Sequence, residues 1–364
     1  MQGSFRVGNL FGIPFYVHFS WFIVLGLFTL TYSSDLAKFS ELSGLMPLGL
    51  GFIVALLLFA SVLAHELGHS FVALRQGIDV KSITLFLFGG VASLDRESKT
   101  PGEAFWVAIA GPLVSFLLCA VFTGLNFATN TSPVAAAITG LLAAINLALA
   151  LFNLIPGLPL DGGNILKALV WKITGNPYKG VEFAGKAGQI FGWLAIISGL
   201  FTGRFWTVLI GIFLLQNAGN ASQSAKVQNK LAAITAEEAM TPNSPIVSAD
   251  ISLREFANEY IIGKREWQKF LVVDELGRLT GEIQISAMRS IPTNEWPQVL
   301  VRELMQPVNF SMAIKPEQSL LDVVMLFEQN QITELPVISD KGVVMGLIEK
   351  AGIIGFLQQK AVTS

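Results

Sequence analysis

The sequence predicts an α-helical polytopic membrane domain of about six transmembrane helices with a short membrane-associated β-hairpin, followed by a soluble α/β module. Three observations predict it. Of 364 residues, 52% are hydrophobic and only 14% charged, where a soluble globule carries about 25% charged residues. Residues 1–220 hold 20 of the charged side chains and residues 221–364 hold 30. The apolar residues of the first part fall in runs of roughly the 20 residues that cross a bilayer core of about 30 Å. The first part has net charge +2 and the second −4. Neither offers the concentrated basic surface that nucleic acid requires, so no nucleic-acid partner is expected. The single cysteine, Cys119, excludes an intramolecular disulfide and a thiolate metal cluster. It reads as a small buried hydrophobe.

The apolar runs begin at residues 13–32, 49–74, 104–127 and 134–155, with a fifth at 184–202 and a shorter sixth at 205–219. Only Thr202-Gly203-Arg204 separates the last two, which form a tight hairpin or one broken span. The first run is longer than a signal-peptide core and lacks a small-residue cleavage site, so it reads as a span. Six spans place both termini on one side. That face then receives Arg6, Arg75, Lys81, Arg96, Lys99, Lys167, Lys172, Lys179 and Lys186, against Lys38 and Arg204 on the other. Positive charge stays inside, so the chain reads as a multi-pass plasma-membrane protein whose termini and C-terminal module are cytosolic.

Two of the three histidines lie in His65-Glu66-Leu67-Gly68-His69, inside the second run. Residues i and i+4 share a helix face, so both imidazoles can reach one cation. Glu66 is turned about 100° away, which suits a general base better than a third ligand. Ionisable groups at membrane depth cost roughly 3 kcal/mol or more each, so three together imply a task. His65 precedes Arg75 by ten residues, about 15 Å of helix, which sets the cation a third to a half of the way into the bilayer. A catalytic zinc site needs a third protein ligand and an open position. Asp161 stands out, at the end of Asn153-Leu154-Ile155-Pro156-Gly157-Leu158-Pro159-Leu160-Asp161-Gly162-Gly163, where prolines and glycines break the helix. Irregular backbone at depth is tolerated only where it is buried in protein or lines a wet cavity. Asp35, Glu41, Asp79, Asp95, Glu97 and Glu103 read as solvated loop charges. His18, on the first run, is the fallback ligand or a histidine satisfied by packing.

The HELGH segment on a membrane helix, with an N-x-x-P-x-x-P-L-D-G segment on a later one, resembles the site-2 protease family of intramembrane zinc metalloproteases. The resemblance spans most of residues 1–220. It implies one zinc held by His65, His69 and Asp161, Glu66 as general base, and contacts from Asn153 and Pro159 to the substrate. Ala110-Gly111-Pro112-Leu113 is similar to the family's third-helix motif, with Ser115 where many members carry Asn. The implied activity is peptide-bond hydrolysis within or near transmembrane segments. The substrates it implies are membrane proteins such as tethered anti-sigma or transcription factors. Because a helix hides its carbonyls, segments holding Gly, Pro, Asn or Ser are the easier ones to open. Ile83–Phe88, closed by Gly89-Gly90, reads as a short strand. Leu85, Phe86, Gly89 and Gly90 are then candidates to clamp an unwound substrate by β-augmentation, or the segment is a re-entrant hairpin that packs the site.

Residues 221–236 read as a linker or helical stalk. Beyond it, over 237–364, lies a repeat with a period near 65 residues, in units of about 237–295 and 300–360. Met240-Thr241-Pro242 recurs as Met305-Gln306-Pro307, Phe270-Leu271-Val272-Val273-Asp274 as Leu335-Pro336-Val337-Ile338-Ser339, and Gly277 and Gly281 as Gly342 and Gly346. Each unit reads as an amphipathic helix, a strand, a glycine turn and a second strand, and resembles a tandem CBS pair. Such pairs often hold adenine nucleotides through a Ser/Thr and an Asp three residues on. Here those positions are Gln284 and Ala287, then Glu349 and Gly352, which weighs against a nucleotide. A homodimerisation or docking module is favoured over a ligand sensor. Two other functions compete with the protease: a CBS-gated transporter or ion-handling protein, and an inactive membrane scaffold. The scarcity of charge along the spans argues against the first, and the complete His65, Glu66, His69 and Asp161 set against the second.

Overall fold

A computed structural model describes residues 3–87, 89–129, 131–241, 243–263, 267–307 and 313–363; Phe88 and Pro242 of the motifs above lie outside the described residues. The chain forms two compact units, Met1–Lys226 and Val227–Ser364.

The first unit opens with a hairpin, β1 (Ser4–Leu10) and β2 (Ile13–His18), turned at Phe11-Gly12 with both residues at positive φ. The first apolar run therefore begins as a strand and becomes helical only at α1 (Ser20–Leu36). The pleated partners of Ile13–His18 lie on both sides: β1 antiparallel, and β3 (Val80–Phe86) in parallel. Aromatic and β-branched residues at 15–17 suit that half-buried surface. β4 (Gly89–Leu94) closes the sheet antiparallel to β3, in the order β1-β2-β3-β4. The expected hairpin is thus the outer half of a four-stranded sheet, and β4 is its edge.

The helices are α2 (Met46–Arg75), α3 (Pro101–Ala128), α4 (Pro133–Asn153), α5 (Asp161–Thr174), α6 (Pro177–Thr202) and α7 (Phe205–Ala232). α3, α4 and α6 start with proline at the first turn behind capping Thr100, Ser132 and Asn176, where the missing N–H costs nothing. All six apolar runs are helical in whole or part. Among the described helices, α2, α3 and α4 are long and apolar enough to cross a membrane. α1 is shorter, at 17 residues, and α6 and α7 each carry a polar stretch, around Lys179–Lys186 and Gln216–Lys230. Large apolar side chains such as Leu117, Phe127 and Phe201 face outward, a surface that suits hydrocarbon better than water. Small residues let the helices approach: a Cβ on Gly192 would meet Leu215 N at 2.9 Å, and one on Gly199 would meet Val208 N at 2.8 Å. α7 continues as helix through residues 221–232, where a linker or stalk is expected.

The second unit is an α/β module. β5 (Ile246–Ser248) pairs in parallel with β6 (Lys269–Val273), which pairs antiparallel with β7 (Leu279–Gln284). In the second repeat β8 (Glu334–Ile338) pairs with β9 (Val344–Glu349), and Ile314 bridges Val337 in parallel as the counterpart of β5. The expected amphipathic helix is whole only in the second repeat, as α9 (Leu320–Asn330). In the first it is α8 (Leu253–Phe256), which passes into a π turn at Ala257–Ile261. α10 (Lys350–Thr363) ends the chain. The two repeats complete one another. A Cβ on Gly346 would meet Met240 Sδ at 2.8 Å, and one on Gly281 would meet Met305 Sδ at 3.0 Å. Each motif methionine therefore packs on the strand glycine of the opposite unit of the period. Val344 N also donates to Gly277 O, and Thr241 N to Leu347 O.

Candidate active site

α2 turns His65 and His69 to the same face, with their rings 5.0 Å apart. Asp161 reaches them from the first turn of α5, and its Oδ2 lies 3.0 Å from His65 Nε2 and 3.3 Å from His69 Nε2. The three candidate ligand atoms lie within 4.8 Å of one another. The chain enters α5 through extended Leu160 after a cis Leu158–Pro159 peptide. Gly162 and Gly163 are needed because a Cβ on either would overlap the main chain of residues 154–158.

The far side of each imidazole is held by α3. His69 Nδ1 lies 2.6 Å from Val107 O, and His65 Nδ1 lies 2.9 Å from Ser115 Oγ. A carbonyl only accepts, so His69 Nδ1 carries a proton and Nε2, on the Asp161 side, is the nitrogen left to serve as a ligand. His65 Nε2, His69 Nε2 and an Asp161 carboxylate oxygen gathered in one buried site could hold a metal ion. Gly111 forms the floor: a Cβ there would lie 2.6 Å from His65 Nε2 and overlap His69 Nε2. Two imidazole nitrogens, one carboxylate oxygen and outer hydrogen bonds to a carbonyl and a hydroxyl make a donor set that fits zinc.

Glu66 faces a cavity of about 440 Å³ shared by His65, His69, Asp161, Asn153 and Pro159. Its side chain packs on Gly90 of β4, where a Cβ would lie 2.5 Å from Glu66 Cγ. Gly90, Val91, Ala92 and Leu94 bring the edge of the sheet to the same cavity. Asn153 donates to Leu149 O of its own helix and also lines an apolar groove between α1, α4 and α7.

The expected residues do not all meet. Leu85 and Phe86 lie on β3, an interior strand paired on both edges. Leu85 is buried against Val24, Leu58 and Phe59. Neither lines the cavity, because β4 stands between β3 and the site, and Gly89, at the start of β4, is not among the lining residues either. His18 stays outside the cluster: its Nδ1 bonds Ser20 Oγ at 2.8 Å, and that oxygen accepts from Leu87 N. It joins the start of α1 to the end of β3 and is not a ligand in this arrangement. Sequence reasoning missed Val107, Gly111 and Ser115 as a unit. Their i, i+4, i+8 spacing places them on one face of α3 and is the signal that marks them. It also missed Asn164, Lys167 and Trp171, which line the same cavity.

A pair of imidazoles and a carboxylate gathered among apolar helices make a candidate metal centre in an apolar helical domain. Comparison with known proteins agrees. The profile of peptidase family M50 matches residues 53–140 and 129–196, and that of the CBS domain matches 301–358. "Putative zinc metalloprotease sll0528" of Synechocystis is 55% identical over 99% of this chain and 97% of its own. "Zinc metalloprotease MJ0392" of Methanocaldococcus jannaschii is 32% identical over 78% of this chain and 79% of its own. The solved "Site-2 Protease from Methanocaldococcus jannaschii" is 30% identical, with a TM-score of 0.46 over 60% of this chain and 95% of that one. The chain belongs to peptidase family M50, the site-2 protease family of zinc metalloproteases, and ends in a CBS module.

Proposed function

We propose that this protein is an intramembrane zinc endopeptidase that cuts peptide bonds within or near the transmembrane segments of membrane-protein substrates. The convergence of His65, His69 and Asp161 on one point, beside Glu66 in a cavity lined by the edge strand β4, carries this reading. His65 Nε2, His69 Nε2 and Asp161 Oδ2 would hold the zinc. When bound, zinc supplies Lewis acidity toward a scissile carbonyl and lowers the pKa of water. Glu66 serves as the base that takes a proton from water and returns it to the leaving amine. Val107 O and Ser115 Oγ orient the imidazoles. An unwound substrate adds as a strand to the edge of β4, over Gly90–Leu94, which replaces the hydrogen bonds its helix has lost. Asn153 and Pro159 meet the substrate from the opposite wall.

The excess of basic residues on one face of the first unit supports a cytosolic cavity mouth and a cytosolic CBS pair. Tethered regulatory proteins such as anti-sigma or transcription factors are the substrate class the family resemblance favours, and the CBS pair serves regulation or dimerisation. The test is the purified full-length chain in proteoliposomes with a pool of labelled transmembrane peptides, beside Glu66→Gln. Cleavage is expected from the unsubstituted chain, with a loss of at least about a hundredfold in Glu66→Gln. Equal cleavage by both proteins would overturn the assignment.

A further inference from the structure

Lys167 lies on α5, six residues beyond Asp161, and its side chain lines the same cavity. Among the described lining residues the other ionisable groups, histidines aside, are the acids Glu66, Glu97 and Asp161, which makes Lys167 the cation of the wall. Its Nζ lies 2.8 Å from Glu97 Oε2, which joins α5 to the segment between β4 and α3. The two halves of this pair are unequally placed. Only 16% of the Lys167 side chain is exposed, against 85% of Glu97. The protein thus holds most of the Lys167 side chain within the wall, while its counter-ion stands in solvent. An ion pair with one partner in water contributes little to stability. A second carboxylate arriving in the cavity would exchange with Glu97 at small cost and gain a charge-assisted hydrogen bond.

We propose that Lys167 is a specificity residue that receives an acidic side chain of the substrate, and that Glu97 occupies its place until the substrate arrives. The inference rests on the peptidase reading above and adds a preference to it. Position along the chain follows from geometry. Six helical residues separate Lys167 from Asp161, about 9 Å of rise, which is about three residues of extended substrate. Glu97 follows β4 by three residues, so a peptide added to that edge passes the pair as it leaves the cavity. The preferred substrates carry Asp or Glu about three to five residues from the scissile bond, on the side of the cavity mouth.

The test uses the full-length chain in detergent, with Glu66→Gln so that probes are bound and not consumed. The probes are membrane-spanning Leu/Ala peptides with a central Gly-Asn-Gly break, carrying Glu, Gln or Lys at three to five residues on either side. Affinity is read by fluorescence anisotropy, and zinc content is measured for each variant. The Glu probe on one side is expected to bind about tenfold tighter than its Gln counterpart. Lys167→Met removes that preference and Lys167→Glu turns it toward the Lys probe, while Glu97→Gln tightens the Glu probe because its competitor is gone. A pair that merely braced the fold would weaken all probes alike in both single variants. That result would overturn the proposal, as would a Glu-to-Lys preference unchanged in Lys167→Glu with zinc retained. Failure of the chain carrying Glu66→Gln alone to bind any probe would instead strike the peptidase reading, and this inference with it.

Discussion

At Gly111 the main chain of α3 comes so close to the imidazoles that a methyl group would lie 2.6 Å from His65 Nε2 and overlap His69 Nε2. Gly111→Ala is therefore expected to abolish stoichiometric zinc while the helical circular dichroism persists. Ser115→Ala, which removes only the partner of His65 Nδ1, should weaken zinc roughly 10- to 100-fold. Metal analysis after dialysis against graded chelator reads both, and full zinc in Gly111→Ala would place the metal elsewhere. In the second unit, Glu349 stands directly opposite Glu334 across β8 and β9. Burial and the Glu334 carboxylate push its pKa above the usual carboxylate range. A raised acid favours its protonated form in the fold, so the ionised side chain costs stability at neutral pH and the cost vanishes as pH falls below about 4.3. Glu349→Gln should stabilise the chain at pH 7 by a few tenths of a kcal/mol, with the gain shrinking on acidification. A denaturant series at pH 7 and pH 4.5 checks it.

Between elements, the two repeats are joined by a charge arrangement that breaks their symmetry. Lys269 of β6 and Glu334 of β8 are equivalent positions one period apart. Lys269 Nζ lies 3.0 Å from Glu334 Oε1 and 2.6 Å from Glu282 Oε2. Burial alone would lower the ammonium's pKa, but the carboxylates of Glu282 and Glu334 outweigh it and hold the pKa above the ordinary lysine value. The pair's contribution is then present below about pH 10.4 and is lost as pH rises through the raised value. Lys269→Met should lower the stability of residues 227–364 at pH 7 and flatten its decline at alkaline pH. Lys269→Glu with Glu334→Lys should recover most of the loss. Hydrogen exchange of β6 and β8 gives the readout, and an alkaline decline unaltered in Lys269→Met would rule out this ion pair as its cause.

At the scale of the molecule, the two units have separate cores, one between the sheet and α1–α4 and one between β5–β7 and the short helices around Phe256. A ligand that binds only the folded state stabilises the unit that holds it. Chelation of zinc is expected to raise hydrogen exchange around α2, α3 and α5 and to leave the β6–β9 strands unchanged. Moving the pH from 8 to 11 should do the reverse in the second unit through Lys269. Exchange resolved by peptide over the full chain measures both. Equal loosening of the two units on chelation would show that the metal's contribution is not confined to residues 1–226.

The sequence by itself determined what local spacing can carry. His65 and His69 share a face because they lie one helical turn apart, the apolar runs after the first are helical, and the period of 65 residues doubles a single α/β unit. Tertiary structure alone decided which distant residues meet them. Asp161 reaches His65 across 96 residues, and Val107 and Ser115 orient the imidazoles from a third helix. β4 rather than β3 faces the cavity because strand order depends on which edge remains unpaired. Ile13–His18 became a strand because β1 and β3 offered hydrogen bonds on both sides, a partnership that apolar composition does not reveal. Glu97 reads as a solvated loop charge and its side chain is exposed, but only the fold sets Lys167 beside it. Periodicity is a property of neighbours along the chain, whereas a ligand set, an edge and an ion pair belong to neighbours in space.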